Sequence, residues 1–280
     1  MNLKTLKDTP PWDWPRDAGK RFLKVLIDPH AKDSERLLAA DLAGDAIAMN
    51  DELAECLLSI IRNSGEPDRL RARAATSLGP VLELAYIDEF EEPDAVPITE
   101  RTFRNIQESL QMAYLDESIP KIVRRRILEA SVRAPEEWHK PAIKAAYSSG
   151  DEDWMLTAVF SMRWVRGFDI PILEALKSAN RDIHREAVKA AGNSEVDAAW
   201  PHIVALVKDS RTPKPVLLSA IEAIASIRPA EAGQVLGELM DSNDEDIADA
   251  AFEAIAMAKA ASEDDDDDED DEEVGKEWIN

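Results

Sequence analysis

The sequence predicts an all-α protein, a right-handed α-solenoid of about seven stacked antiparallel helix pairs with a disordered acidic C-terminal tail. Three observations predict this fold. A short motif of small and apolar residues recurs at intervals near 31 residues. Within each interval apolar residues are spaced three and four apart, as on one face of a helix. Alternating β-branched residues and Asn-Gly turns are nearly lacking, so strands are not expected.

The repeated motif consists of an apolar or small residue, a second apolar residue, a variable residue and a small residue. Its copies begin at Ala74, Ile127, Ala158, Ala187, Ala220 and Ala251, with a fainter copy near Ala39. The spacings between the six clear copies are 53, 31, 29, 33 and 31 residues. Small residues allow close approach of neighbouring helices, and one helix pair cannot bury both of its faces, so the repeats are expected to stack.

Helix boundaries are marked by capping residues and prolines. Start signals are Ser118 with Pro120, Asp151, Asn180, Thr212 with Pro213, and Asn243. Breaks at 134–137, 166–169, 192–195 and 228–231 are expected to separate the two helices of a pair. The long interval contains an acidic inserted loop at 82–99, with the next helix starting at about Glu100. Such loops often lie on a functional face of a solenoid, although a tolerated surface insertion is the simpler interpretation.

Three segments divide the chain. Residues 1–32 form an N-terminal segment with a capping helix, in which Trp12 and Trp14 are expected to hold the cap over the first repeat or, alternatively, to form an exposed partner motif. Residues 33–260 form the solenoid. Residues 261–280 form the acidic tail, where eleven consecutive acidic residues repel one another and offer no apolar face. The tail is expected to confer solubility, or to fold back over a basic region with Trp278 and Ile279 as its anchor.

Charge is segregated along the chain. The net charge is −24, and only residues 120–190 are positive, at +3, while 1–119, 191–262 and 263–280 carry −9, −7 and −11. An acidic chain repels phosphate, so nucleic-acid binding is disfavoured. The run KIVRRR at 121–126 indicates either a solvated helix face with ion pairs or a positive patch for an acidic partner segment. Lys140, Lys144, Arg163 and Arg166 are the predicted electrostatic contacts of that partner.

The segment DIHREAVKAAGNSEVDAAWPHIVALVKDS, residues 182–210, resembles a HEAT repeat of the short kind found in bacterial phycobilisome-lyase-like HEAT proteins. DEDIADAAFEAIAMA, residues 244–258, resembles the first helix of another copy. The resemblance extends over roughly 33–260. It implies an armadillo-like solenoid that binds a protein along a concave helical surface. HEAT proteins share geometry and not chemistry, so the resemblance identifies no reaction.

The sequence offers no catalytic, cofactor-binding or metal-binding residue. HEAT-type hydroxylases bind iron through His-Glu dipeptides, and none of the four histidines here precedes a glutamate. His184 and Glu186 are two residues apart on a helix and cannot face each other, so His184 and His202 are expected to be surface or interhelical histidines. Cys56, the single cysteine, is expected to be a buried core thiol.

The predicted function is a non-catalytic scaffold that binds a protein partner, with no small-molecule substrate indicated. Two alternatives stay open: a phycobilin-lyase-like enzyme or tetrapyrrole-binding protein, and a nucleic-acid-binding HEAT protein regulated by its acidic tail. Neither a signal-peptide pattern nor a stretch of 18 apolar residues is present. The protein is therefore expected to be cytoplasmic and to have no membrane partner.

Overall fold

The computed structural model describes residues 2–92 and 95–276, with side chains described for 2–92 and 95–260. Every regular element within these ranges is a helix, so the all-α prediction is confirmed. The chain divides into two compact units, Met1–Ala145 and Ala146–Asn280, and each is described by itself.

The first unit is a stack of helices in which alternate helices contact one another. Its helices are α1 (Leu3–Lys7), α2 (Ala18–Ile27), α3 (Asp33–Leu42), α4 (Asp51–Arg62), α5 (Asp68–Ser77), α6 (Gly79–Asp88), α7 (Glu100–Leu115), α8 (Lys121–Ser131) and α9 (His139–Tyr147), within which the division of the chain falls. Helix α5 packs between α3 and α8, and α4 packs against α5 and α7. First helices thus stack on first helices, and second helices line the other side.

The second unit repeats this arrangement with a shorter period. Its helices are α10 (Glu152–Ser161), α11 (Asp169–Ala175), α12 (Arg181–Asn193), α13 (Trp200–Lys208), α14 (Lys214–Ile227), α15 (Pro229–Leu236) and α16 (Glu245–Lys276). Helices α10, α12, α14 and α16 pack in succession, while α11, α13 and α15 pack against the first helices. This is the stacking of a HEAT-type solenoid.

The repeated motif forms the buried centre of both stacks. The first position of every copy is fully buried, namely Ala39, Ala74, Ile127, Ala158, Ala187, Ala220 and Ala251. Alanine at this position keeps neighbouring helices close because there is little side chain between them. The periodic small residues therefore determine how tightly one repeat packs on the next.

Several helix starts lie where their capping residues predict them. The Asp151 side chain accepts a hydrogen bond from the Trp154 backbone N–H at the start of α10, and Asn180 accepts from two backbone N–H groups of α12. Helices α8 and α14 begin directly after Pro120 and Pro213.

The predicted inserted loop at 82–99 is too long. Residues 82–88 belong to α6, because Leu82 and Ala85 continue its buried face. Helix α6 ends where Glu89 and Phe90 adopt left-handed φ angles of 52° and 59°. The Phe90 ring then packs edge-on against Phe103 of α7, with 5.7 Å between ring centroids. The loop therefore starts at Glu89, and its residues 93–94 lie outside the described ranges.

The two N-terminal tryptophans differ in their role. Trp14 Nε1 donates hydrogen bonds to the carbonyl oxygens of Leu6 and Thr9, at 3.0 and 2.9 Å, and its ring packs edge-on against Phe22 of α2. Trp12 is 77% exposed. The predicted capping role thus holds for Trp14 and is wrong for Trp12.

Two further expectations concern Cys56 and the acidic tail. Cys56 is half-buried and not fully buried, and this burial still raises the pKa of its thiol. The predicted tail, residues 261–280, begins within α16, whose backbone is helical as far as Lys276 and whose side chains are described as far as Ala260; the disorder of the tail stays a prediction.

His139 is a buried neutral histidine at the start of α9. The side chain is 0% exposed and its ring stacks on Trp138, with 3.8 Å between ring centroids. Its Nδ1 accepts the backbone N–H of Glu136 at 2.8 Å, so Nε2 carries the proton and donates to Ser131 Oγ at 3.0 Å. Burial lowers the pKa of His139 to about 4.

This histidine predicts an acid sensitivity. In the unfolded chain the imidazole has an ordinary pKa of about 6.5. Below that pH the unfolded state therefore binds a proton that the folded state does not bind. Stability contributed by neutral His139 is present at pH 7 and is lost as the pH falls through 6.5 towards 4. The natural sequence should lose free energy of unfolding between pH 7 and pH 5. We expect this loss to be smaller by on the order of 2 kcal/mol in His139→Asn, measured by urea unfolding at both pH values. An unchanged pH slope in this variant would contradict the assignment.

Candidate binding groove on the second unit

A groove of about 400 Å³ runs along the first helices of the second unit. It lies over α12, α14 and α16 and has a floor of small residues and a rim of charged ones. The lining residues are Arg163, Lys189, Gly192, Asn193, Ser219, Glu222, Ala223, Ala225, Ser226, Ala250, Glu253, Ala254 and Met257. Three members, Lys189, Glu222 and Glu253, occupy the variable position of successive motif copies. The repeat therefore places its least constrained residue in the groove.

Close helix packing gives the groove its floor. A Cβ atom at Gly192 would lie 2.9 Å from Ala223 Cα, so α12 and α14 meet where neither has a long side chain. Glycine is required here by the approach of the next helix. The close contact between Gly192 and Ala223 forms the floor, and the polar lining residues surround it.

Charges of both signs line the groove and come from different helices. Arg163 follows α10 and Lys189 lies on α12, whereas Glu222 and Glu253 lie on α14 and α16. The positive side of the groove is therefore the side of α10 and α12 in the helix stack. Met257 adds an apolar side chain that is 71% exposed. A surface with an apolar floor and charges at its edges matches the usual anatomy of a protein–protein contact.

A buried carboxylate lies beneath the positive side. Glu186 is 7% exposed, and Arg185, Arg163 and Lys189 approach its carboxylate at 3.6, 3.8 and 4.0 Å. These separations exceed ordinary hydrogen-bond lengths. Among the described residues, Oε2 of Glu186 has no hydrogen-bond partner. Three cations therefore surround this carboxylate, and one of them, Arg185, also faces Asp182 at 3.7 Å.

Arg163 is held in place by aromatic rings. Its guanidinium carbon lies 4.6 Å from the centroid of the Trp164 ring and 5.5 Å from that of Phe160. Stacking of this kind reduces the side chain's freedom, so less entropy is lost when a partner binds it. Among the arginines predicted from sequence, Arg163 is the one that lines the groove.

The other predicted contact residues lie elsewhere. Lys140 and Lys144 are exposed on α9, four residues apart on one helix face of the first unit. Arg166 belongs to the second unit, where it donates to the Glu195 carboxylate at 3.1 Å and to the Ser194 carbonyl at 3.4 Å. Trp278 and Ile279 lie outside the described residues. Their contribution to binding stays a prediction.

The arginine run at 124–126 is more structural than its composition indicates. Arg124 Nε donates to the Tyr114 carbonyl at 2.8 Å, Arg125 is 7% exposed, and Arg126 pairs with Glu129 on the same helix. The charges are therefore largely used within the first unit. The interpretation as an ion-paired helix face applies to Arg126. The interpretation as an open positive patch applies to none of the three arginines.

A larger cleft in the first unit is less suited to binding a protein segment. It lies between α4 and α7, and its carboxylates already accept hydrogen bonds from neighbouring residues. Asn105 Nδ2 donates to Glu55 at 2.6 Å, and the Thr99 backbone N–H donates to Asp51 at 2.8 Å. Its polar lining lacks the small apolar floor of the groove on the second unit.

Comparison with known proteins supports the HEAT assignment for part of the chain. A family model described as HEAT repeats matches residues 170–256, which include the whole of α12, α13, α14 and α15. The comparison with curated proteins found no match.

Solved structures with a similar helical arrangement have low sequence identity. Human deoxyhypusine hydroxylase in complex with glycerol is 16% identical, with a TM-score of 0.39, over 88% of this chain and 97% of that one. The Escherichia coli protein YibA is 15% identical, with a TM-score of 0.45, over 88% and 84%. An engineered protein is 15% identical, with a TM-score of 0.35, over 88% and 98%. At these scores the likeness to an enzyme carries no argument about catalysis.

No described helix is long and apolar enough to cross a membrane. No group of three or more His, Cys, Asp or Glu side chains gathers at a point where it could hold a metal ion, within the part of the chain that the structure describes.

Proposed function

We propose that this protein is a non-catalytic HEAT-repeat scaffold that holds a protein partner in the groove of its second unit. The observation that carries the proposal is the positive side of that groove, where Arg163 and Lys189 flank the buried Glu186 carboxylate. The matched HEAT repeats contribute Lys189, Glu222 and Glu253 to this groove, and helical repeats of this kind commonly bind proteins along such faces.

The charges of the groove define the partner's chemistry. An acidic side chain placed near Arg163 and Lys189 would be attracted by these two cations beside Glu186. A basic or polar group on the same segment can face Glu222 or Glu253 across the small-residue floor. The fitting partner is therefore an acidic segment that also presents small apolar side chains.

The proposal predicts a specific effect of reversing one charge. Lys189→Glu places a carboxylate on the positive rim, and we expect partner binding to weaken at least tenfold, since like charges at an interface cost on the order of 1.4 kcal/mol or more. The matched control is Lys208→Glu, which makes the same charge change at an exposed position at the end of α13. Both variants are compared with the full-length chain in a quantitative pulldown read by mass spectrometry.

The informative proteins are those that are captured both by the natural full-length chain and by the control variant Lys208→Glu. Loss of these proteins with Lys189→Glu supports the groove. Equal retention by both variants contradicts it. A parallel pulldown with residues 1–262 tests the tail, because displacement of a bound tail would increase partner binding when the tail is removed.

The narrower resemblance to phycobilisome-lyase-like proteins is tested by absorbance. A bound tetrapyrrole would give the purified protein visible colour beyond the aromatic absorption band. A nucleic-acid-binding role predicts salt-sensitive retention on DNA or RNA that increases when the acidic tail is deleted. Cytoplasmic localisation stays a prediction of the sequence.

A further inference from the structure

We propose that His184 and His202 form a two-histidine site for a divalent transition-metal ion, with Zn²⁺ as the fitting example. The site joins α12 to α13 and is separate from the groove residues. Its basis is the approach of the two imidazole rings, whose Nε2 atoms lie 3.2 Å apart. The ring centroids are 5.5 Å apart and the ring planes are nearly perpendicular, at 74°.

This separation suits a shared metal ion. Zinc–imidazole bonds of about 2.0–2.1 Å place two nitrogens of a tetrahedral ion about 3.3 Å apart. The observed distance therefore requires a movement of about a tenth of an ångström. Without a metal, the Nε2–H group of one histidine must donate a hydrogen bond to the unprotonated Nε2 of the other. A metal ion between them would need both protons on the Nδ1 atoms, a change of tautomer without net loss of a proton.

Partial burial favours the neutral form of both rings. Burial lowers the pKa of His202, and burial together with the neighbouring His202 lowers the pKa of His184. Neutral imidazole is the form that coordinates metal. Each residue as a whole keeps part of its surface exposed to solvent.

The repeat register places different residues at the position of His184 in the two units. Three positions before the first motif residue, the first unit has Arg36, Arg71 and Arg124, and each donates its Nε–H to a carbonyl oxygen ten residues earlier. The same register position before Ala187 is His184. Its side chain contacts His202 of the following helix. The other copies of the second unit have Met155, Leu217 and Ala248 at this position, so among these four residues only His184 offers a metal ligand of the imidazole type.

The ligand set determines the class of ion. Imidazole nitrogen suits zinc, copper and nickel, whereas magnesium and calcium prefer oxygen. Within the described residues no cluster of three His, Cys, Asp or Glu side chains is present, so the two histidines would share the ion with water. Binding is expected to be moderate and to leave open coordination positions.

The test is calorimetric titration of the full-length chain with ZnCl₂ at pH 7.5 in a buffer that does not bind zinc. We expect one saturable site that MgCl₂ does not compete for. His184→Gln and His202→Gln should each weaken this site at least tenfold, while His30→Gln, at an exposed position, should leave it unchanged. Zinc bound by the acidic tail would persist in all three variants and is distinguished in this way.

A second measurement does not depend on the variants folding. In the unaltered chain, zinc should shift the imidazole proton resonances of His184 and His202 and leave that of the fully buried His139 unchanged. The proposal is overturned if the two resonances do not respond to zinc. It is also overturned if the double variant His184→Gln, His202→Gln, with its helical content intact, binds zinc as the natural sequence does.

Discussion

Arg71→Ala is expected to lower the free energy of unfolding of the first unit by about 2–3 kcal/mol. Arg71 is 4% exposed, and its Nε donates to the Ile61 carbonyl at 2.9 Å, near the end of α4. That carbonyl is left without an intrahelical donor because the helix ends there. Alanine would leave the oxygen buried and unsatisfied, and would also remove the packed methylene stem. Urea unfolding of the full chain measures the change.

Arg69→Ala is the matched control for this prediction. Arg69 is exposed on the same helix, two residues away, so its removal should change the free energy of unfolding by less than about 0.5 kcal/mol. Equal effects of the two substitutions would show that the carbonyl contact contributes nothing. Arg36 and Arg124 make the same contact in their own repeats, at 3.1 and 2.8 Å. A comparable loss in the free energy of unfolding at either position would show that the arginine–carbonyl hydrogen bond has the same stabilising role in each of these repeats.

Trp14→Ala is expected to have a similar effect, about 3 kcal/mol on the free energy of unfolding. This value is at the lower end for a tryptophan because the side chain is half-buried. The substitution removes two hydrogen bonds to backbone carbonyls and the edge-on contact with Phe22. The N-terminal segment would then lose its attachment to α2. Protease digestion should cut the variant near its N-terminus sooner than the natural sequence.

Trp12→Ala separates this role from tryptophan content alone. Its ring is 77% exposed two residues away, so we expect little change in stability or in protease sensitivity. A large loss of stability in Trp12→Ala, with none in Trp14→Ala, would reverse the assignment of the capping residue.

The fold was predictable from the sequence because its strongest signals are local and repeated. The first residue of each motif copy is buried as the period requires, and Asp151 and Asn180 cap the helices they precede. The inserted loop was harder to delimit. Its acidic composition extends back into α6, where the buried Leu82 and Ala85 show that helical packing outweighs surface charge.

The candidate site was predicted only in part, because charge alone does not show where a side chain makes its contacts. Arg163 lines the groove, but Arg166 pairs with Glu195, and Arg124 satisfies a helix end. Lys189 was not among the predicted contact residues. It occupies the variable position of the motif, as do Glu222 and Glu253, and all three line the groove. The position alone does not predict exposure, because Glu129 occupies it in the first unit and is 8% exposed.

The central claim is that the partner binds over α12, α14 and α16. Hydrogen–deuterium exchange of the full-length chain, with and without a captured partner, tests it most directly. We predict slower exchange on binding at residues 187–193, 219–226 and 250–257, and an unchanged rate along α4 and α7 of the first unit. Protection confined to the first unit, with the three segments unchanged, would contradict the account.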